Sequence, residues 1–327
     1  MSEQEGSAHP TGRGLRIGKP RDERSPEEPF DECAEWERDG QYYHYLTKWM
    51  HALNRVSVVT GDFRYNRWAM ELAKAAHAGF VYTLCGTDQR QMFWKMSIDL
   101  SYPLVTSMGL HDPIDGLITY IQLQATATHD PETPQSLHLT EQINDMARIC
   151  EGKDWRTDDV LGLGGLLCDA FRAAQLFVKG ALDGPDLLKL LLNASLPGLM
   201  YSGRTNFFYA PARFRLAFRE LGLSIGLHAV EKLEILIGEN QPAFGSDSDA
   251  IGADLKAFRK YMPLGEQIET FWLDPKNQTS QAWKEHRDIN AVMLATSLAP
   301  DGFLSSDRMQ GRGLYLAHSS YSTVTDK

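Results

Sequence analysis

The stretch QYYHYLTKWMHALNRVSVVTGDFRYNRWAMELAKAAHAGFVY, residues 41–82, decides the fold. Tyr42, Leu46, Trp49, Leu53 and Val56 recur at intervals of three or four, which is the spacing of one helical face. Gly61 then offers the left-handed residue on which helices commonly stop, because glycine carries no Cβ penalty there. Tyr65, Trp68, Ala69, Leu72, Ala76 and Phe80 repeat the pattern, with Arg64, Arg67, Glu71 and Lys74 mostly elsewhere on the cylinder. Two amphipathic helices with so short a link lie antiparallel and share a core.

Further helical units follow. Pro113 opens a helix through Leu117, Tyr120, Ile121 and Leu123, with Asp112 expected as its N-cap and Asp115 in its first turn, where negative charge suits the dipole. Residues 133–150 read as an amphipathic helix, and 158–178 as a helix apolar nearly all round and therefore buried, broken by Asp169, Arg172 and Gln175. Leucine-rich 185–200, long 212–237, then 250–262, 266–272 and 281–299 complete the set. No alternating strand pattern or βαβ rhythm is evident, and only a short helical stretch is expected near 93–100 within the long aromatic connection 86–116. The expected fold is all-α, with ten to twelve helices in consecutive hairpins and no short solenoid period, which favours a closed ring.

Composition sets limits. Of 327 residues, 43% are hydrophobic and 23% charged, enough for a sizeable core. The formal charge of −10 repels a phosphate backbone, so nucleic acid is not an expected partner. The leucine-rich segment 187–200 is interrupted by Lys189, Asn193 and Pro197, so no membrane span is expected. The first 29 residues lack the apolar run of a secretory signal, and the expected localisation is cytoplasmic. Their Gly, Pro, Ser, Glu and Arg content predicts a mobile arm, followed by one domain over 30–300 and an irregular tail over 301–327. Cys33, Cys85, Cys150 and Cys168 form no CxxC pair, so no metal site or cofactor is expected; they read as reduced thiols, with Cys168 the candidate if one were a nucleophile.

Three groups of residues are candidates for chemistry. On the long helix, Phe214, Phe218, Leu221 and Ile225 share one face while Arg213, Glu220, Ser224 and His228 fall on another, where Glu220, Ser224 and His228, spaced by four, stack. A carboxylate and an imidazole on one cavity wall can move protons, unless Glu220 merely pairs with Arg213 or Arg219. His111, Asp112 and Asp115 surround a helix start, which attracts developing negative charge, although Asp112 as a simple cap is the plainer reading. His286 shares a face with Asn290 beside Glu285 and Asp288, where a solvated first turn is the alternative. Tyr43, His44 and Lys48 also qualify as cavity lining, together with Trp94 of the long connection and Arg204, Phe208 and Tyr209 of the loop 201–211, whose aromatic faces and polar donors suit hydroxylated ligands.

The Thr60-Gly61-Asp62-Phe63-Arg64-Tyr65 turn and the series of hairpins resemble the six-hairpin (α/α) toroid superfamily, which includes N-acylglucosamine 2-epimerase-like enzymes and several glycosidase families. The resemblance covers residues 36–300 in architecture. It implies an (α/α)6-type toroid with a central funnel and acid/base residues on its walls. The expected function is thus an isomerase, epimerase or hydrolase acting on a carbohydrate-like small molecule, with His111, His228 and His286 as proton carriers. A glycosidase variant would set Asp112 or Asp115 opposite Glu220. One alternative is a lyase or isomerase of an apolar, terpenoid-like metabolite, since some such toroids handle hydrocarbons; Met92, Phe93, Trp94, Met96, Phe207, Phe208 and Tyr209 would line its cavity, without a DDxxD cluster. A non-catalytic helical binding scaffold is the other.

Overall fold

Helix propensity and periodicity carry most of the chain. The computed structural model describes residues 3–203 and 207–305. Its helices are α1 (Glu3–Ala8), α2 (Glu32–Glu35), α3 (Tyr43–Thr60), α4 (Arg64–Phe80), α5 (Asp112–Ala127), α6 (Thr140–Cys150), α7 (Val160–Val178) and α8 (Asp186–Ser202). They continue as α9 (Ala217–Glu239), α10 (Gln241–Phe244), α11 (Asp247–Phe258), α12 (Met262–Leu273), α13 (Gln281–Glu285), α14 (Arg287–Leu298) and α15 (Asp301–Leu304). The protein is predominantly helical, as expected.

The α3/α4 hairpin stands where the sequence puts it. Gly61 closes α3 at φ 76°, its amide donating to the Ser57 carbonyl. The buried face differs from the expected one, however. Tyr43, Leu46 and Met50 are in the core, whereas Trp49 and Val56 face solvent. The neighbouring face of α3 buries Thr47, His51 and Asn54, because it meets polar side chains of α5.

Residues brought together along the helices show their directions. Thr47, His51 and Asn54 of α3 meet Asp115, Gln122 and Thr126 of α5 in rising order. Gly164 of α7 lies against Gly222 and Gly226 of α9, so closely that a Cβ on Gly164 would fall 2.1 Å from the Gly222 carbonyl oxygen. Phe218 and Gly222 of α9 meet Asn290 and Met293 of α14. Thus α3, α5, α7, α9 and α14 form a parallel row, with α4, α6, α8, α11 and α12 packed outside it. Among the described residues no comparable packing joins α14 back to α3; instead α15 lies against α3 and α7. α7 is by length and composition capable of crossing a membrane, but most of it is buried in the middle of this row.

Several expectations give way here. The connection after α4 holds no helix at 93–100; it forms short antiparallel strands, β2 (Val81–Thr83) with β3 (Arg90–Met92), and β1 (Gln41–Tyr42) with β4 (Lys95–Met96), which also pairs with β5 (Pro103–Val105). Backbone pairing supplies the hydrogen bonds that so few residues cannot make as a helix. The helix expected from 133 begins at Thr140, and that expected from 212 begins at Ala217, leaving Phe214 exposed. The segment expected to be a mobile arm is laid along the domain. Thr11 donates to the Trp68 carbonyl at 2.7 Å, Gly18 to Asp39 at 2.8 Å, and Arg24 to the Leu104 carbonyl at 2.9 Å. Low apolar content is offset there by hydrogen bonds and ion pairs, including Arg16 with Asp39. Of the expected tail, Asp301–Leu304 is helical and 306–327 lie outside the described residues.

Candidate functional site

Three helices carry polar stripes that meet inside the row. On α3 these are His44, Thr47, Lys48, His51 and Asn54; on α5, Asp112, Asp115, Thr119 and Gln122; on α7, Asp169, Arg172 and Gln175. Steps of three and four keep each stripe on one face, so a single junction collects them.

Arg172 is its hub. One Nη1 donates to Asp115 Oδ1 and to Asp169 Oδ1, both at 2.9 Å. Nη2 donates to Thr119 Oγ1 at 2.8 Å and to Gln122 Oε1 at 2.9 Å. Asp115 Oδ2 accepts from Thr47 at 2.6 Å and from Lys48 Nζ at 3.0 Å. Gln122 donates onward to Asn54 at 2.7 Å. At the far end His51 Nε2 donates to the Phe303 carbonyl at 2.7 Å and Gln175 to the Leu304 carbonyl at 3.0 Å, so α15 closes the network. At the near end the Lys48 side chain is 50% exposed while its ammonium turns inward. The junction therefore reaches solvent along the Lys48 side chain, which we call its mouth.

The carboxyl groups differ in charge state for physical reasons. Burial alone would raise Asp115, but the Lys48 and Arg172 charges outweigh it and hold that carboxyl far below the usual range. Asp169 is pushed up to about 6, first by burial and then by the Asp115 charge. Asp112 is pushed up to about 7 for the same two reasons, with Lys48 opposing. Asp169 Oδ2 has no hydrogen-bond partner among the described residues, and Asp112 Oδ2 is buried without one. Burial works against charge on Lys48, yet Asp115 and Asp169 hold it above its ordinary value. Burial and the Lys48 charge push His44 down to about 4; burial and the Arg172 charge push His51 down to about 3. Both imidazoles are neutral at physiological pH.

The expected site residues divide. Asp112 and Asp115 come to the junction, with His44 beside its mouth, although Asp112 is the first helical residue and His111 takes the N-cap position without a side-chain cap bond. His111 is half-buried beneath, its Nε2 donating to the Trp155 carbonyl at 2.9 Å, and burial lowers its pKa. Glu220, Ser224 and His228 face α12 rather than the junction. Glu220 is fully enclosed, accepting from Arg215 at 2.6 and 2.9 Å and from the Trp272 indole at 2.8 Å; its partner is neither Arg213 nor Arg219. Ser224 and His228 both bond Glu269 Oε1, at 2.6 and 2.8 Å. His286 is exposed at the start of α14, its ring 5.4 Å from that of Phe218, while Asn290 is buried between the Phe218 amide and the Trp283 carbonyl.

Tyr43 lines no cavity; its hydroxyl donates to that of Tyr120 at 3.0 Å in the core. Phe208 is buried near Arg215, which donates to its carbonyl, and Tyr209 is exposed. Arg204 lies outside the described residues, as does the Phe207 side chain. Met92 and Met96 are core residues, Phe93 stacks on Tyr82 at 4.2 Å, and none of these joins Phe208 in one apolar cavity. Two concavities lie elsewhere: about 240 Å³ between the C-terminal ends of α7 and α9, and a shallow one of about 450 Å³ beside Phe208 and Phe271. Neither gathers several buried carboxyl groups about a buried guanidinium as the junction does, which is why the junction is the candidate. Cys168 is buried and its thiol is pushed up to about 12 by burial and the Asp169 charge, which leaves it unreactive. Among the described residues no three His, Cys, Asp or Glu side chains gather as a metal site.

The sequence presents Asp169 and Arg172 only as interruptions of an apolar helix. The usable signal was that a helix buried all round cannot hold charges without partners. Comparison with protein-family models, curated proteins and solved structures returns no match for this chain.

Proposed function

We propose that the α3/α5/α7 junction is an acid/base site for a small hydroxylated, carbohydrate-like substrate, and that its reaction is isomerisation or epimerisation by proton transfer. What supports this is Asp169: a buried carboxyl with one oxygen fixed on Arg172 and the other free, beside an ionised neighbour. Carboxyl groups whose environments push them apart divide the roles of proton carrier and electrostatic anchor. Asp169 carries the proton. Asp115 is saturated by Arg172, Thr47 and Lys48 and holds the cations in place. Lys48, at the mouth, stabilises the oxyanion that develops when a proton leaves the carbon beside a carbonyl.

Hydrolysis is the weaker reading, because a glycosidase needs two carboxyl groups flanking the bond. Asp115 is fully engaged, and Asp112 is enclosed beneath. We read the parallel row with its outer helices as an open form of the (α/α) toroid, with the substrate at the inner face. The test is incubation in deuterated water with a panel of aldoses, ketoses and N-acylhexosamines. Isomerisation with deuterium at the reacting carbon is expected, falling about 10²–10⁴-fold in Asp169→Asn. Turnover that Asp169→Asn leaves intact contradicts the assignment.

A further inference from the structure

Beside the mouth of the junction runs a strip of aromatic side chains that packing does not account for. Trp36 is 51%, Tyr45 43% and Trp49 55% exposed. The exposed Trp36 ring meets the half-buried Trp94 edge-on with centroids 5.1 Å apart, and Trp94 meets Tyr42, which is buried beneath the strip, at 5.3 Å. Tyr42 meets Tyr45 at 5.7 Å, and Trp49 follows Tyr45 by four residues on α3. His44 lies between, its ring 6.2 Å from Trp94 and 4.6 Å from Tyr45. Lys48 follows His44 by four residues and Tyr45 by three on α3, so the strip passes beside the Lys48 side chain.

Large aromatic side chains normally dominate cores and interfaces, and contiguous exposed ones mark a binding surface. The chemistry of the strip selects its occupant. The indole N–H groups of Trp36, Trp49 and Trp94 and the Tyr45 hydroxyl make no hydrogen bond among the described residues. A hydrocarbon would cover these donors without satisfying them, which is costly. A ligand with a C–H face and a hydroxyl rim meets both the rings and the donors. The net charge of −10 works against a polyanion. The rings are concentrated at the end of α3 nearest Lys48, rather than spread along its exposed Val56 and Val59, which ties the occupant to the junction instead of to a second helix.

We propose that Trp36, Trp94, Tyr45 and Trp49 form a subsite row for a neutral oligosaccharide chain, whose terminal residue enters at Lys48. The placement of that terminal residue rests on the acid/base reading; the row itself does not. The substrate is then the end of a glycan rather than a free monosaccharide.

The test uses the full chain with cello-, malto-, xylo- and chitohexaose and their monosaccharides, followed by calorimetry and tryptophan fluorescence, with sedimentation velocity in parallel. At least one hexasaccharide is expected to bind about tenfold or more tighter than its monosaccharide, with Trp49→Ala and Trp36→Leu each losing about tenfold. Asp169→Asn is expected to keep the hexasaccharide affinity. Absence of tryptophan-dependent binding across the panel overturns the proposal, as does a dimer that Trp49→Ala dissociates. The two readings separate cleanly. Tryptophan-dependent binding without proton exchange on any sugar removes the acid/base reading alone, whereas exchange on monosaccharides without hexasaccharide binding removes the row alone.

Discussion

Two buried ion pairs, Arg215 with Glu220 and Arg172 with Asp115 and Asp169, look alike in sequence and differ in what they can do. The Arg215 and Glu220 side chains are at most 1% exposed; both Glu220 oxygens are occupied, and the guanidinium lies 3.7 Å over the Phe271 ring. Such a pair has no spare valence and no route to solvent. At the junction one guanidinium serves two carboxylates, a carboxyl oxygen is left free, and a half-exposed lysine stands at the mouth. Burial of a carboxylate does not by itself make a site; an unsatisfied oxygen with a way in does.

Removing either arginine breaks this comparison most strongly. Arg172→Met leaves Asp169 without its cation and Asp115 with Lys48 alone, and Arg215→Met leaves Glu220 without its cation, each expected to cost about 3–5 kcal/mol in urea unfolding. Activity separates the two. Glu220→Gln is expected to be destabilised in the same unfolding measurement while its folded fraction retains full turnover, and Asp169→Asn is expected to stay folded and lose turnover.

A smaller effect tests the electrostatics through Asp112. Its folded pKa is raised, so the folded chain holds the proton more tightly than the unfolded one. That contribution is complete below the ordinary carboxylate range near pH 4 and is lost as pH rises through about 7. Asp112→Asn is therefore expected to raise stability at pH 8 by on the order of 2–4 kcal/mol and to leave it unchanged at pH 4, as thermal melts at the two pH values would report. A gain confined to acid pH would reverse the sign and refute it. The smallest effect belongs to His228→Asn, on the partly exposed α9/α12 face, where less than about 1 kcal/mol and no change in turnover are expected.

The helical architecture was legible because each amphipathic face repeats a period that burial enforces. Gly61 and the α3/α4 turn illustrate it. The faces themselves were less legible. Trp49 has the spacing of a core residue and is exposed, because the row leaves that side of α3 uncovered, and neighbouring His51 is buried because α5 and α15 supply its partners. Asp112 and Asp115 were visible as a helix start, but Arg172, fifty and more residues away, is what joins Asp115 to Asp169. Spacing within one helix suggested Glu220 with His228, yet the partner across the interface decides, and those partners are Arg215, Trp272 and Glu269. The strands at 81–105 escaped because two- and three-residue strands carry no period to detect.

The most direct test of the central claim is a ¹³C-carboxyl titration of the aspartates, assigned with Asp169→Asn, Asp115→Asn and Asp112→Asn, alongside the pH dependence of turnover on any sugar that exchanges deuterium. Asp169 is expected to titrate near 6 with kcat/KM rising through the same pH, while Asp115 stays ionised well into acid. Asp169 and Asp115 titrating together in the ordinary carboxylate range, with turnover indifferent to pH near 6, would contradict it.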